Sequence, residues 1–280
     1  MSNYYCLVAE LPEIAFDGST PAFTVARFRE EVYPLLSAAD ARCVNLIFLA
    51  QDNANILDIL RKGENADIRQ TGCYTYAELL EFIETAKNGD KRAKSVPEYI
   101  YDFVEYYVQN ETATSILWED VLNTYYYNYA QKCSNKFVAE WFLFNLNVNN
   151  VLAAMAARKY GMNVPGVVIG DNEVAECLRT SGARDFGLSG TFEQLEVLQR
   201  MCENGKLQER ERQLDELRWK WLDENSVFNY FTVERLFVFL VKLSIVERWQ
   251  ALDEEKGMER YREMISALKS GMDAQSISLK

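Results

Sequence analysis

Helical periodicity extends along nearly the whole chain and constrains its fold more than any other feature. Apolar residues return every three or four positions in one segment after another, which is the spacing of a buried helix face. Glycine and proline, the residues that interrupt helices, number only 13 and 5 among 280 residues. We find no convincing strand pattern. The sequence therefore predicts an all-α fold.

Local signals predict where several of these helices begin. Thr24 and Ser37 each precede an apolar helical stretch and can accept a hydrogen bond from its first turn. Thr75 with Glu78 has the spacing of a capping box, and the segment from Thr191 to Gln194 matches the same pattern. The last predicted helix covers residues 258–268.

The absence of histidine excludes several kinds of active site. It removes the Ser-His-Asp and Cys-His nucleophile pairs, mixed Cys/His zinc sites and the commonest general base. The chain also contains no Gly-rich phosphate-binding motif and no pair of Asp-rich magnesium motifs. We therefore expect no catalytic, cofactor-binding or metal-binding residues, no small-molecule substrate, and a protein that is not an enzyme.

Cysteine spacing indicates the cellular compartment of the protein, and its net charge argues against some classes of binding partner. The six cysteines lie at least 25 residues apart, so no C-x-x-C pair exists, and with no signal peptide evident we expect reduced thiols in the cytoplasm. A net charge of −12 argues against nucleic acid or an anionic membrane as the main partner. The longest apolar run, residues 236–246, is too short to cross a membrane and contains Lys242.

Two segments of the chain resemble each other at a constant offset of 95 residues. Each of the segments 48–57 and 143–152 begins with the last residues of a hydrophobic helix. Two polar residues three positions apart follow, and the segment ends in another apolar stretch. We interpret each polar pair as a corner between two helices, where short side chains cap the incoming N-terminus. The residues of these predicted corners are Asp52, Asn55, Asn147 and Asn150.

This repeat suggests how the chain is divided. Boundaries near residues 96 and 190 give three helical modules of similar length, at 1–96, 97–190 and 191–280. The third module lacks a clear copy of the polar pair, and chance similarity between two polar segments is the alternative explanation.

Residues 135–152, which read NKFVAEWFLFNLNVNNVL, resemble the recurring signature of a V-type ATPase family, the C/d family of central-stalk proteins. Residues 231–252 with the acidic residues that follow are similar to the third module of that family. The opening segment 4–12 is similar to a bacterial branch of uncharacterised proteins encoded beside V-type ATPase genes. Asn147 stands where the family usually carries an acid, and the chain is shorter than a typical member.

The resemblance implies three similar modules arranged as a pseudo-threefold funnel. Members of the family are non-catalytic parts of the central stalk. They couple the soluble rotor shaft to the membrane ring that moves ions, so the implied partners are the proteins of the shaft and the ring. The implied location is the cytoplasmic side of the membrane, reached through the ATPase complex and without a membrane span.

Two other hypotheses belong to different classes of protein. The first is a cytosolic all-helical scaffold or adaptor with an unrelated protein partner. The second is a helical hydrolase or lyase that works without histidine, which would need two carboxylates converging in a deep pocket.

Overall fold

Every regular element in the described part of the chain is helical. The computed structural model describes residues 4–16, 23–113, 116–203 and 206–252, and within these ranges there is no β-strand. The all-α prediction is confirmed, whereas the predicted helix at 258–268 lies outside the described residues. In chain order the helices α1 to α11 are Tyr5–Glu10, Val25–Arg27, Ala38–Lys62, Tyr76–Asn88, Glu98–Gln109, Trp118–Ala130, Lys136–Lys159, Glu173–Thr180, Leu195–Glu203, Leu207–Asn225 and Val233–Ala251.

Most of the predicted helix starts are confirmed, and one is wrong. Thr24 and Ser37 cap α2 and α3, and Thr75 with Glu78 forms a complete capping box at the start of α4. Thr191 caps no helix, because its hydroxyl donates to the carbonyl of Leu188 in a tight turn. Helix α9 begins four residues later, at Leu195.

The predicted helix corners are also wrong. Helix α3 continues through Asp52 and Asn55, and helix α7 continues through Asn147 and Asn150. No N-terminus exists at either place for these side chains to cap. The side chains of Asp52, Asn55 and Asn150 instead bind the backbone of segments that follow their helices. The polar pairs therefore mark equivalent positions inside two long helices.

The order of helices repeats along the chain. The repeated order is a shorter helix, a long helix, an irregular segment and another shorter helix. It occurs as α2–α3–α4 and again as α6–α7–α8. The pair α10–α11 resembles the start of this order, but its two helices are equally long, with 19 residues each. We call α3, α7 and α11, with 25, 24 and 19 residues, the three long helices of the repeat.

Each long helix packs against the helix that opens another unit. Helix α3 contacts α6, α7 contacts α10, and α11 contacts α2, so the contacts run in cyclic order. Helix α11 also contacts both α3 and α7. Hydrogen bonds span each cyclic contact, for example Tyr126 Oη to the Leu46 carbonyl (2.6 Å), Arg218 Nε to Asn145 Oδ1 (3.0 Å) and the Val25 amide to Glu247 Oε1 (2.7 Å).

The interior is not divided at the predicted module boundaries. The larger cluster of buried apolar residues includes Leu46, Phe103, Leu198 and Phe237, so it draws on all three predicted modules. A smaller cluster joins the N-terminal segment to α3 and α11. Helix α11 contributes to both clusters, as expected for a helix that is apolar on nearly all sides. In the described ranges, no helix has both the length and the apolar character needed to cross a membrane.

Candidate interaction surface

The N-termini of the three long helices meet at one end of the molecule. Asn135, the N-cap of α7, donates its side-chain N–H to Glu234 Oε1 in the first turn of α11, over 2.7 Å. A depression of about 470 Å³ opens there, and we call it the N-terminal depression. Its lining comes from all three helices and the segments before them: Ala39, Asp40, Cys43, Ser134, Asn135, Lys136, Phe137, Glu140, Asn225, Asn229 and Glu234.

The N-terminal depression carries buried negative charge. Glu234 is 7% exposed, and its second carboxylate oxygen, Oε2, has no hydrogen-bond partner among the described residues. Asp40 accepts hydrogen bonds from the Tyr4 and Ser37 hydroxyls, at 2.6 and 2.7 Å. The positive ends of three helix dipoles favour carboxylates at this position. Glu234 is therefore held by one hydrogen bond, from Asn135 to Oε1, while its Oε2 is enclosed by the protein.

An exposed aromatic segment borders the depression. Residues 227–231, which we call the aromatic loop, connect α10 to α11, and Asn229 within it lines the depression. Phe228 is 87% exposed and Tyr230 is 63% exposed. The ring of Tyr5 lies 4.6 Å from that of Phe231 and extends the apolar surface. Exposed aromatic side chains grouped beside a concave polar surface are typical of a protein-binding site.

The sequence patterns considered above do not single out this loop. A signal is nevertheless present, because the sequence Val-Phe-Asn-Tyr-Phe lies in the connection between two helices, α10 and α11. Connections between helices are usually polar, so three aromatics within five residues of a connection predict an exposed apolar surface.

The predicted corner residues do not line the N-terminal depression. Asn55 binds both the N–H and the C=O of Arg69 through its amide, at 3.0 and 2.9 Å, and Asn150 binds those of Ile169 at 3.0 and 2.8 Å. Asn55 lies 15 residues beyond Asp40 along α3, a distance of about 22 Å at 1.5 Å per residue. These two asparagines hold the returning chain against the long helices, so their role is structural.

Asp52 and Asn147 occupy matching positions but differ in what they bind. The Asp52 carboxylate accepts from the amides of Cys73 and Tyr74, at 2.7 and 3.2 Å. Burial raises the pKa of Asp52, and these two hydrogen bonds oppose that rise. A Cβ at Gly72 would lie 2.0 Å from Asp52 Oδ1, so only glycine fits there. Asn147 Oδ1 is buried without a partner among the described residues.

A second concave surface adjoins the N-terminal depression. This cleft of about 600 Å³ lies between α3, α5 and α6, and it shares Cys43 and Ser134 with the depression. Its acidic residues Glu98 and Asp102 both pair with Arg92, at 3.7 and 2.7 Å. Within the described ranges, no group of three or more Cys, Asp or Glu side chains is arranged to hold a metal ion.

Comparison with known proteins places the chain in one family. No curated protein and no solved structure matches it. A sequence model of one family, described as a protein of unknown function (DUF2764), matches residues 1–272, which is nearly the whole chain. This chain, whose three long helices meet at an acidic depression beside exposed aromatics, therefore belongs to the DUF2764 family.

Proposed function

We propose that this protein is a non-catalytic central-stalk component of a V-type ATPase, a socket between the soluble rotor shaft and the membrane ring. The observation that carries the proposal is the meeting of three long helices, by their N-termini, at a depression bordered by exposed aromatics. The resemblance of residues 135–152 to the C/d family of central-stalk proteins supplies the identity of the partners. On this proposal the protein works on the cytoplasmic side of the membrane, held there by the complex.

The cyclic packing of the helices supports a funnel of three similar modules. Each unit opens with a helix that contacts the long helix of the preceding unit, and α11 contacts α2 to close the order. Three modules around a pseudo-threefold axis would produce this order of contacts. The N-terminal depression then lies where the axis leaves the molecule.

The chemistry of the depression defines what it can receive. The lining of the depression carries the carboxylates of Asp40, Glu140 and Glu234, and the aromatic loop offers apolar area beside them. A helical end with apolar residues and one lysine or arginine would satisfy both features. The foot of a rotor shaft is the partner of this kind that the resemblance implies.

A socket that transmits torque has to resist deformation. The large apolar cluster extends from α3 to α11 without division, and close-packed interiors have low compressibility. Aromatic contacts link helices that are distant in the sequence, for example Phe144 in α7 against Trp221 in α10, with ring centroids 5.1 Å apart. Such packing would let rotation of the shaft pass through the protein with little internal strain.

The test is affinity purification of the tagged protein from native membranes, with the bound proteins identified by mass spectrometry. We expect shaft and ring proteins of a V-type ATPase with the unaltered protein. Phe228→Ser should reduce their recovery at least several-fold, since Phe228 is the most exposed aromatic of the loop. Tyr160→Ser is the matched control, because Tyr160 is 73% exposed at the distant end of α7.

Two results would overturn the proposal. Recovery of no ATPase component with the unaltered protein would remove the stalk function. Recovery of an unrelated protein, lost in Phe228→Ser and kept in Tyr160→Ser, would instead support the scaffold or adaptor hypothesis.

A further inference from the structure

Two cysteines far apart in the sequence lie in contact beside a cleft. Cys43 Sγ, in α3, lies 3.4 Å from Cys133 Sγ, in the connection between α6 and α7. Both thiols are free, and both residues line the 600 Å³ cleft. Cys43 is 5% exposed, whereas Cys133 is partly exposed. A small solute in the cleft can therefore reach Cys133 more readily than the buried Cys43.

We propose that Cys43 and Cys133 are a reversible redox pair, which a hydroperoxide converts into an intramolecular disulfide between α3 and the α6–α7 connection. The proposal depends only on the position of the two thiols and is independent of the stalk function.

The surroundings assign different roles to the two sulfurs. The hydrogen bond with Cys43 lowers the pKa of the Cys133 thiol to about 7. The backbone N–H of Asn135 and the charge of Arg42 also lower this pKa. The same hydrogen bond, together with burial, raises the pKa of Cys43, and the nearby carboxylates of Asp40 and Glu234 add to that rise. Cys133 is therefore the nucleophile, and Cys43 is the resolving thiol.

The chemistry proceeds in two balanced steps. The Cys133 thiolate attacks one oxygen of the peroxide, and the O–O bond breaks to give a sulfenic acid and hydroxide, which takes up a proton to become water. Cys43 then forms the S–S bond with the sulfenic sulfur, and the S–OH oxygen leaves as a second water with the thiol proton. Two thiols are oxidised, and one molecule of hydrogen peroxide is reduced to two of water.

The structure allows the sulfurs to close this distance. A disulfide needs about 2.05 Å between sulfurs, so they must approach by roughly 1.4 Å. Cys43 is fixed within α3, but Cys133 belongs to the short non-helical connection between α6 and α7, where the backbone can adjust. The resulting bond would lie on the wall shared by the cleft and the N-terminal depression, since Cys43 lines both.

The test uses the full-length protein at pH 7 with a small excess of hydrogen peroxide. After denaturation, free thiols are alkylated and the peptides are mapped by mass spectrometry. We expect a linked pair of peptides containing Cys43 and Cys133, which dithiothreitol separates. Cys133 should react about tenfold faster than Cys202, because burial raises the pKa of Cys202 and leaves less thiolate.

Single substitutions separate the two roles. In Cys43→Ser, Cys133 should accumulate as a sulfenic acid that dimedone traps, whereas in Cys133→Ser, Cys43 should remain a free thiol. Circular dichroism verifies that both variants are folded. Cys6 is exposed, so its oxidation shows that the peroxide has acted. The proposal is overturned if Cys43 and Cys133 are still free thiols, and are both alkylated, once Cys6 is oxidised. It is also overturned if Cys133 pairs with any other cysteine. It is equally overturned if the pair binds zinc and resists the peroxide.

Discussion

At the scale of single residues, identical side chains within one repeat serve different purposes. Asn147 and Asn150 lie three positions apart on α7 and belong to the same motif. Asn150 is 2% exposed and uses both ends of its amide on the backbone of Ile169, whereas the carbonyl oxygen of Asn147 has no partner among the described residues. The sequence identified both as special positions. It could not show which one is bonded, because the partner lies 19 residues further along the chain.

This difference predicts that alanine substitutions at Asn150 and Asn147 change the free energy of unfolding by different amounts. Asn150→Ala removes two hydrogen bonds and leaves the N–H and C=O of Ile169 without partners, which should lower the free energy of unfolding by about 2 kcal/mol. Asn147→Ala removes a side chain whose oxygen is already unsatisfied, so the change should stay within about 0.5 kcal/mol. Urea unfolding followed by far-UV circular dichroism measures both. Equal losses in the two variants would contradict the proposed structural role of Asn150.

At the scale of elements, the helical character was predictable and the continuity of the long helices was not. Apolar spacing identified the helices, and local capping identified several starts, since both signals lie within a few residues of each other. Asp and Asn favour N-caps because their side chains compete for backbone donors. In α3 and α7, however, the donors come from chain segments 14 to 22 residues away. Only tertiary structure distinguishes such a position from a cap.

The packing of α10 on α11 depends on a buried carboxylate that likewise had no local signal. Asp215 in α10 is 1% exposed, and it accepts from Arg218 at 3.2 Å and from the Trp249 indole at 2.8 Å, with Arg248 as a third donor. Two of these three donors belong to α11. Asp215 therefore links the last two described helices through charge-assisted hydrogen bonds in a buried position.

Asp215→Ala should be among the most destabilising substitutions in α10. It leaves two guanidinium groups and an indole N–H without their shared acceptor, and we expect a loss of about 3 kcal/mol in the free energy of unfolding. Glu224→Ala is the control on the same helix, since Glu224 pairs with Lys220 over 3.6 Å with both side chains more than 60% exposed. The control should lose less than about 0.5 kcal/mol. A loss of similar size in both variants would show that burial of Asp215 contributes nothing.

At the scale of the whole molecule, the sequence repeat predicted a division into three modules and could not predict how the helices pack together. Division at residues 96 and 190 suggested separate modules, yet the boundaries fall just before α5 and α9, and one apolar cluster extends past both. Periodicity indicates which face of a helix is buried, but it does not indicate which other helix covers that face. The cyclic contacts between units and the meeting of three N-termini therefore appear only in the folded chain.

A shared interior predicts a single unfolding transition. Eleven of the 19 residues of α11 are buried, and they contribute to both apolar clusters, so the first and second units cannot retain their cores once α11 separates. Far-UV circular dichroism reports on all helices. Tryptophan fluorescence reports on the contact of Trp141 with Trp221, whose ring centroids lie 5.4 Å apart, and on Trp118 in the second unit. We expect the two signals to change at the same urea concentration and with the same slope. Transitions that separate by more than the fitting error would mean that the units unfold independently, and a socket built from them could not pass torque as one rigid body.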